Sequence, residues 1–360
     1  FVTRQVFDID ISRVVTEYRA QQLENEQGQC FVAPFPKDIT KAVQYGNQLK
    51  AHAVYLSQYQ LLPYKRIKDY FTELLHIPLS EGSLYNFNCQ AYDQLADFER
   101  IVKQQLTQPS LAHADETGIN INGKRQWLHS VSNSQWTHFY AHEKRGTEAM
   151  NDIGILPRFH GILCHDHWKP YFRYDFSHAL CNAHHLRELT RAWEQDKQVW
   201  AQEMKQLLEV INSTVNDAGG SLQSEQANVY RRCYRKLLNK AEIECPPPKE
   251  PPKKKRGRIK RSKARNLLER LINYEDDVLR FMENTDVPFT NNEAENVIRM
   301  TKVHQKISGC FRSMDGAKIF CRVRGYLSTC RKQDLTASKA MSLIFEGKLP
   351  DFARNNCLDF

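Results

Sequence analysis

No apolar run in this 360-residue chain approaches the roughly 18 residues a bilayer-spanning helix needs, and no basic-then-apolar leader opens it. A membrane is therefore not expected among its partners. Cys-x-x-Cys pairs are missing as well. The ten cysteines are scattered, which argues against a disulfide framework and for a reducing, cytosolic setting. The chain opens on Phe1 rather than Met, so a piece of a longer polypeptide is expected. An excess of positive charge is lacking everywhere but in one stretch. Between Lys249 and Arg265 lie ten of the 51 Lys and Arg residues and one of the 42 acids, so the rest balances at 41 of each sign and this segment carries the whole net charge of +9.

Such a block repels itself and cannot bury itself, so a mobile arm is expected. Its Lys253, Lys254, Lys255, Arg256, Arg258, Lys260 and Arg261 suit a phosphate backbone, with salt-sensitive affinity. A merely solvated or targeting segment is the plain alternative. Pro246-Pro247-Pro248 and Pro251-Pro252 mark an extended linker on either view. Elsewhere a hydrophobic share of 41% and an aromatic share of 11% indicate a folded protein, long enough for two or three domains.

Residues 1–40 read as the irregular tail of an N-terminal module. From Gly46 the pattern turns helical, with Leu49, Ala53, Leu56 and Tyr59 three to four residues apart. Pro63 suits a first helical residue before Ile67, Phe71 and Leu74. Ser80 is an N-cap for one long helix carrying Leu84, Phe87, Ala91, Leu95, Phe98 and Val102 on a stripe. Over 41–108 this gives a helix-turn-helix-like arrangement, with Lys65, Arg66 and Lys68 favouring DNA over plain helical packing. Strands follow at Leu111–Ile121, Gln126–Val131 and Trp136–Ala141, joined by Asn122-Gly123 and Asn133-Ser134 turns. Thr147–Leu156 reads as helix and Gly161–His165 as a short apolar strand.

That order, within an α+β or α/β chain, is the order of an RNase H-like core, here 109–185 with a last part at 290–345. A mostly helical insertion at 186–289 interrupts it, and 346–360 is a tail. Thr290 or Asn291 caps the helix that carries Glu295.

Three acids stand in informative contexts: Asp115 on the first core strand, Asp166 at the end of Gly161–His165, and Glu295 on a helix. Three clustered carboxylates are what two divalent cations need for in-line attack on a phosphodiester. Hard oxygen ligands suit two Mg2+ ions, with Mn2+ as a substitute, better than Zn2+. Glu293 and Glu295 point about 200° apart on a helix, so only one faces the ions. Glu116 should face the other side of its strand and serve the structure. His167 could orient a phosphate or water, or pack; Asn292 is a supporting candidate. Arg299 and Lys302, with His304, Lys306 and Arg312, would set positive charge beside the site, for phosphates rather than bases. The pairs Cys164-x2-His167 and Cys181-x2-His184 have zinc-like spacing. The first pair, however, straddles a strand end, and on a strand residues three apart point to opposite faces, so zinc is not expected there; Cys181 and His185 fit a packed helix face instead.

The segments His113-Ala-Asp-Glu-Thr-Gly, Cys164-His-Asp-His-Trp-Lys-Pro-Tyr and Asn291-Asn-Glu-Ala-Glu-Asn-Val-Ile-Arg resemble the IS-sixty-six family of bacterial insertion-sequence transposases. Tyr55-Leu-Ser-Gln-Tyr-Gln-Leu-Leu-Pro-Tyr and His178-Ala-Leu-Cys-Asn-Ala-His-His-Leu-Arg-Glu-Leu add to the likeness, which runs from about residue 5 to about residue 345. It implies a DDE triad at Asp115, Asp166 and Glu295, with cleavage at transposon ends and strand transfer into target DNA. It further implies multimers on paired ends, possible accessory proteins, and a nucleoid-associated place in a bacterial cytoplasm. A nuclease that cuts without joining, or a DNA-binding derivative without activity, are the rival readings. Two departures stand out. The family's cysteine-rich zinc element is reduced to Cys30, and its Glu-Arg pair reads Glu295-Asn296.

Overall fold

The computed structural model describes residues 1–248 and 261–354. The proposed DNA contacts Lys253, Lys254, Lys255, Arg256, Arg258 and Lys260 lie outside the described residues. Before residue 47 the only regular structure is a hairpin of β1 (Gln22–Glu24) and β2 (Cys30–Val32), exposed on all its residues. The helical region follows as α1 (Asn47–Val54), continued by a π turn to Tyr59, then α2 (Tyr64–Glu73), α3 (Glu81–Gln94) and α4 (Ala96–Gln105). Pro63 sits one position earlier than expected, as the extended residue before α2. Ser80 caps α3, its Oγ accepting the Ser83 N–H at 3.0 Å.

The single long helix read from the periodicity is broken at Leu95, whose N–H is shared between Ala91 O and Tyr92 O in a tightened turn. Its stripe nonetheless survives the break, because Leu84, Phe87, Ala91, Leu95, Phe98 and Val102 are all buried.

The sheet is built from β3 (Leu111–Ile121), β4 (Lys124–Ser132) and β5 (Thr137–His142), then α5 (Thr147–Ile153), β6 (Ile162–His165) and β7 (Ser177–Leu180). Their order is β5-β4-β3-β6-β7, antiparallel among the first three and parallel through β3, β6 and β7. Asn122 and Gly123 both have positive φ (47° and 80°), as a two-residue hairpin turn of this twist requires.

Helices α6 (Asn182–Glu194), α7 (Val199–Asp217), α8 (Ser224–Glu244), α9 (Lys263–Asn273) and α10 (Glu275–Leu279) gather their apolar stripes into one core with Cys164, Ala179 and Leu180 of β6 and β7. After it come α11 (Asn292–Ser308), α12 (Met314–Lys332), α13 (Ala337–Phe345) and α14 (Asp351–Arg354). A second core joins α1–α4 to the sheet and to α12–α13, through residues such as Phe71, Phe98, Val131, Tyr326 and Met341. Gly325 lets α12 lie close on β5, since a Cβ there would stand 3.2 Å from Thr137 O. No helix among the described residues is long and apolar enough to cross a membrane.

One expectation about charge needs correction. The end of the basic stretch does bury itself: Arg265 is nearly inaccessible, ion-paired with Glu242 at 2.9 Å and Glu269 at 3.0 Å. Arg261 is likewise paired with Glu269. Ser262 caps α9, and the acids of α8 and α9 draw these two guanidinium groups into the helical core.

Candidate metal and nucleic-acid site

Parallel pairing of β3 with β6 sets Ala112 beside Leu163 and His113 beside Cys164. The pairing ends there and β6 ends at His165, so Asp166 stands just past the strand, two positions beyond Cys164 as Asp115 is two beyond His113. Each carboxylate gives one oxygen to a backbone N–H: Asp115 Oδ1 accepts from Glu116 at 2.8 Å, and Asp166 Oδ1 accepts from Trp168 at 3.0 Å. Burial, chiefly, pushes the Asp115 carboxyl up to about 7, and the charges of Glu116, Asp166 and Glu295 add to it. Asp115 therefore feels both other acids of the proposed triad.

Glu295 reaches this place because Asn291 anchors the start of α11. The expected side-chain cap is not what Asn291 makes. Its Nδ2 donates to Ala114 O at 2.9 Å, its Oδ1 accepts from His113 Nδ1 at 2.8 Å, and its backbone N–H points to Cys181 Sγ at 3.1 Å. A buried amide one residue from Asp115 thus ties β3, α6 and α11 together. Asn292, beside it, is exposed. The two glutamates of α11 diverge as helical geometry requires. Glu293 pairs with Lys332 at 2.8 Å and lies 3.5 Å from His113, whereas Glu295 lies 3.7 Å from both His184 and Arg187.

Glu116 is buried on the other side of β3 and held by Arg145 at 2.6 Å and the Tyr171 hydroxyl at 2.6 Å. Its carboxyl is also raised, by burial first and by Asp166 second, so its charge reaches the site from behind. Arg145 is sandwiched between Trp127 and Trp168, 4.8 and 4.2 Å from their ring centres, and Arg125 covers Trp127 at 4.6 Å. With Lys302, which donates to Gly118 O at 2.6 Å, these cations line an open pocket of about 600 Å³ beside Glu116. Arg299 is exposed on α11. Periodicity offered no signal for Arg125, Trp127 and Arg145, which read as an ordinary strand and loop; Asn291 stood inside the recognised motif but was read as a cap.

His167 has a positive φ of 70° and packs its ring against Phe172 and Tyr274, 5.1 and 4.6 Å away. Burial pushes it down to about 3, with Arg270 reinforcing the shift, so the ring is neutral there. Of the two Cys–His pairs, the first is separated, with Cys164 buried in β6 and His167 turned into this packing. The second converges: one donor atom each from Cys181, His184 and Glu295 lie within 4.8 Å of one another. Cys181 immediately precedes the first turn of α6, so the three-residue spacing puts it and His184 on one side.

Asp115, Asp166 and Glu295 offer oxygen donors of the kind a hard divalent cation takes, but the three donors that converge within 4.8 Å among the described residues are those of Cys181, His184 and Glu295. The Asp115 carboxyl is raised first by burial and then by its acidic neighbours, and a cation would offset both.

A protein-family profile, Transposase IS66 family, matches residues 42–319, which takes in Asp115, Asp166 and Glu295. Among curated proteins, Uncharacterized protein y4jO of Sinorhizobium fredii (strain NBRC 101917 / NGR234) is 36% identical over 70 residues, 19% of this chain. The chain spans 22% of the length of that relative.

Proposed function

Because the chain belongs to the Transposase IS66 family, we propose that it is a DDE-type DNA transposase acting at Asp115, Asp166 and Glu295. It cleaves phosphodiester bonds at element ends and joins the freed 3′-hydroxyl to target DNA. The observation that carries this reading is the parallel pairing of β3 with β6, which sets Asp115 and Asp166 two positions beyond the paired His113 and Cys164 although they lie 51 positions apart along the chain. The strand order β5-β4-β3-β6-β7, with one acid on β3 and one just after the parallel β6, supports an RNase H-like core.

Two Mg2+ ions, replaceable by Mn2+, supply activation of the attacking hydroxyl and neutralise the leaving oxygen when bound. Asp115 and Asp166 would hold them through their uncommitted oxygens, with Glu295 completing the set from α11. The chain's own cations do the positioning. Arg125, Arg145 and Lys302 line the pocket on the Glu116 side of β3, where phosphates flanking the reacting one can be held without reading bases, and Arg299 extends that charge along α11. Trp127 holds the Arg125 and Arg145 guanidinium groups by stacking, which fixes their charge beside the pocket. The helices α2 and α3, with Lys65, Arg66 and Lys68 exposed, are proposed as a further DNA contact, as is the basic segment 249–260. Paired ends call for at least a dimer on DNA.

The test is cleavage of a labelled element end with and without Mg2+. Asp115→Asn and Asp166→Asn are each expected to lose more than the roughly 10–100-fold that changes around metal ligands cost, with DNA binding retained. Near-normal cleavage by either variant rejects the assignment. Cleavage without strand-transfer products identifies a nuclease, and binding without any cleavage by the unsubstituted chain identifies an inactive derivative.

A further inference from the structure

We propose that Cys181, His184 and Glu295 form a second, chemically different metal site, taking one soft divalent cation of the Zn2+ class. Their donor atoms lie within 4.8 Å of one another, and His184 Nδ1 stands 3.7 Å from Glu295 Oε1. A tetrahedral ion held at its usual bond lengths spaces its ligands roughly 3.3–3.8 Å apart. Glu295 Oε1 has an ion-pair contact with Arg187 at 3.7 Å, too long for a hydrogen bond. Both His184 Nδ1 and Glu295 Oε1 are buried without a hydrogen bond among the described residues, a state that folded proteins rarely tolerate. Cys181 Sγ accepts the Asn291 N–H at 3.1 Å just before the 13-residue α6.

The donor set distinguishes this place from the carboxylate pair. Thiolate and imidazole select Zn2+ or Co2+ over Mg2+, whereas Asp115 and Asp166 offer oxygen alone. Glu295 belongs to both. A Zn2+ ion seated on Cys181 and His184 engages the Glu295 carboxylate and holds it towards α6. This consequence rests on the transposase reading: Zn2+ then competes with the Mg2+-dependent step by withholding its third carboxylate. Binding itself does not depend on that reading.

Titration of the full chain with Co2+ followed by Zn2+ tests the site. One equivalent of Co2+ is expected to give a thiolate-to-cobalt charge-transfer band in the near ultraviolet, which Zn2+ displaces. Cys181→Ser is expected to abolish the band. His184→Ala, at a side chain 36% exposed and therefore safe for folding, is expected to weaken binding by more than the roughly 10–100-fold cost of changes around metal ligands. Asp115→Asn, and Cys233→Ser at an exposed thiol, should bind as the unsubstituted chain does. The proposal is overturned if no charge-transfer band forms, if the band survives Cys181→Ser, or if His184→Ala binds normally. Loss of cleavage in Asp115→Asn has no bearing on these readouts, so the two readings fail separately.

Discussion

Asp115 holds its proton more tightly in the fold than in the unfolded chain, at about 7 against 3.8. With the folded value raised, its contribution to stability is full below pH 3.8 and is lost as pH rises through 7. Asp115→Asn removes that penalty. Without divalent cations, the variant is expected to be more stable than the parent by roughly 1–3 kcal/mol at pH 8, and no more stable at pH 3.5. Thermal melts in chelator at the two pH values measure this, and an equal shift at both would contradict crowding as the cause. Adding Mg2+ should stabilise the parent and not the variant, because the ion binds the carboxylate form.

At the scale of elements, what places Glu295 is the docking of α11 rather than the helix itself. Hydrophobic contact comes from Ala294 and Ile298, but the register is set by Asn291, whose amide satisfies Ala114 O and His113 on β3. Asn291→Ala leaves both groups buried without that partner. It is expected to cost about 1–3 kcal/mol and to reduce cleavage as severely as loss of Glu295 does. Denaturant unfolding and the cleavage assay check the two parts; full activity with reduced stability would show that α11 stays in place without the amide. The break at Leu95 belongs to this scale as well. Periodicity identified the buried stripe across α3 and α4 correctly, since the stripe depends on residue spacing. It missed the joint, which depends on how that stripe wraps the sheet.

Over the whole molecule, the sheet is shared by two large cores, with α1–α4, α12 and α13 in one and α6–α10 in the other. The acids lie where α11, β3 and β6 meet. Many of the 13 histidines are packed within the fold. Burial pushes His129, His178 and His304 down to about 4, and His138, His167 and His185 down to about 3, from 6.5. With folded values depressed, the stability they contribute is present above pH 6.5 and is lost as pH falls towards 3–4. By pH 5 each costs on the order of 1–2 kcal/mol, and their sum rivals a net stability of about 5–15 kcal/mol. Cooperative acid unfolding is expected to begin near pH 6. A melting temperature unchanged between pH 7 and 5 would show that these rings find charge partners on protonation.

Spacing along the chain determined whatever depends on a residue and its near neighbours. It located the strand Leu111–Ile121, the Asn122-Gly123 turn, the Ser80 cap and the divergence of Glu293 from Glu295, because hydrogen-bond patterns and side-chain periods repeat locally. Tertiary structure decided which groups meet: Asn291 with His113, 178 positions apart, Arg145 with two tryptophans, Arg265 with the acids around it, and Glu295 with Cys181 and His184. Such contacts come from how helices and sheet pack and from where buried polar groups find partners, and no local period encodes them.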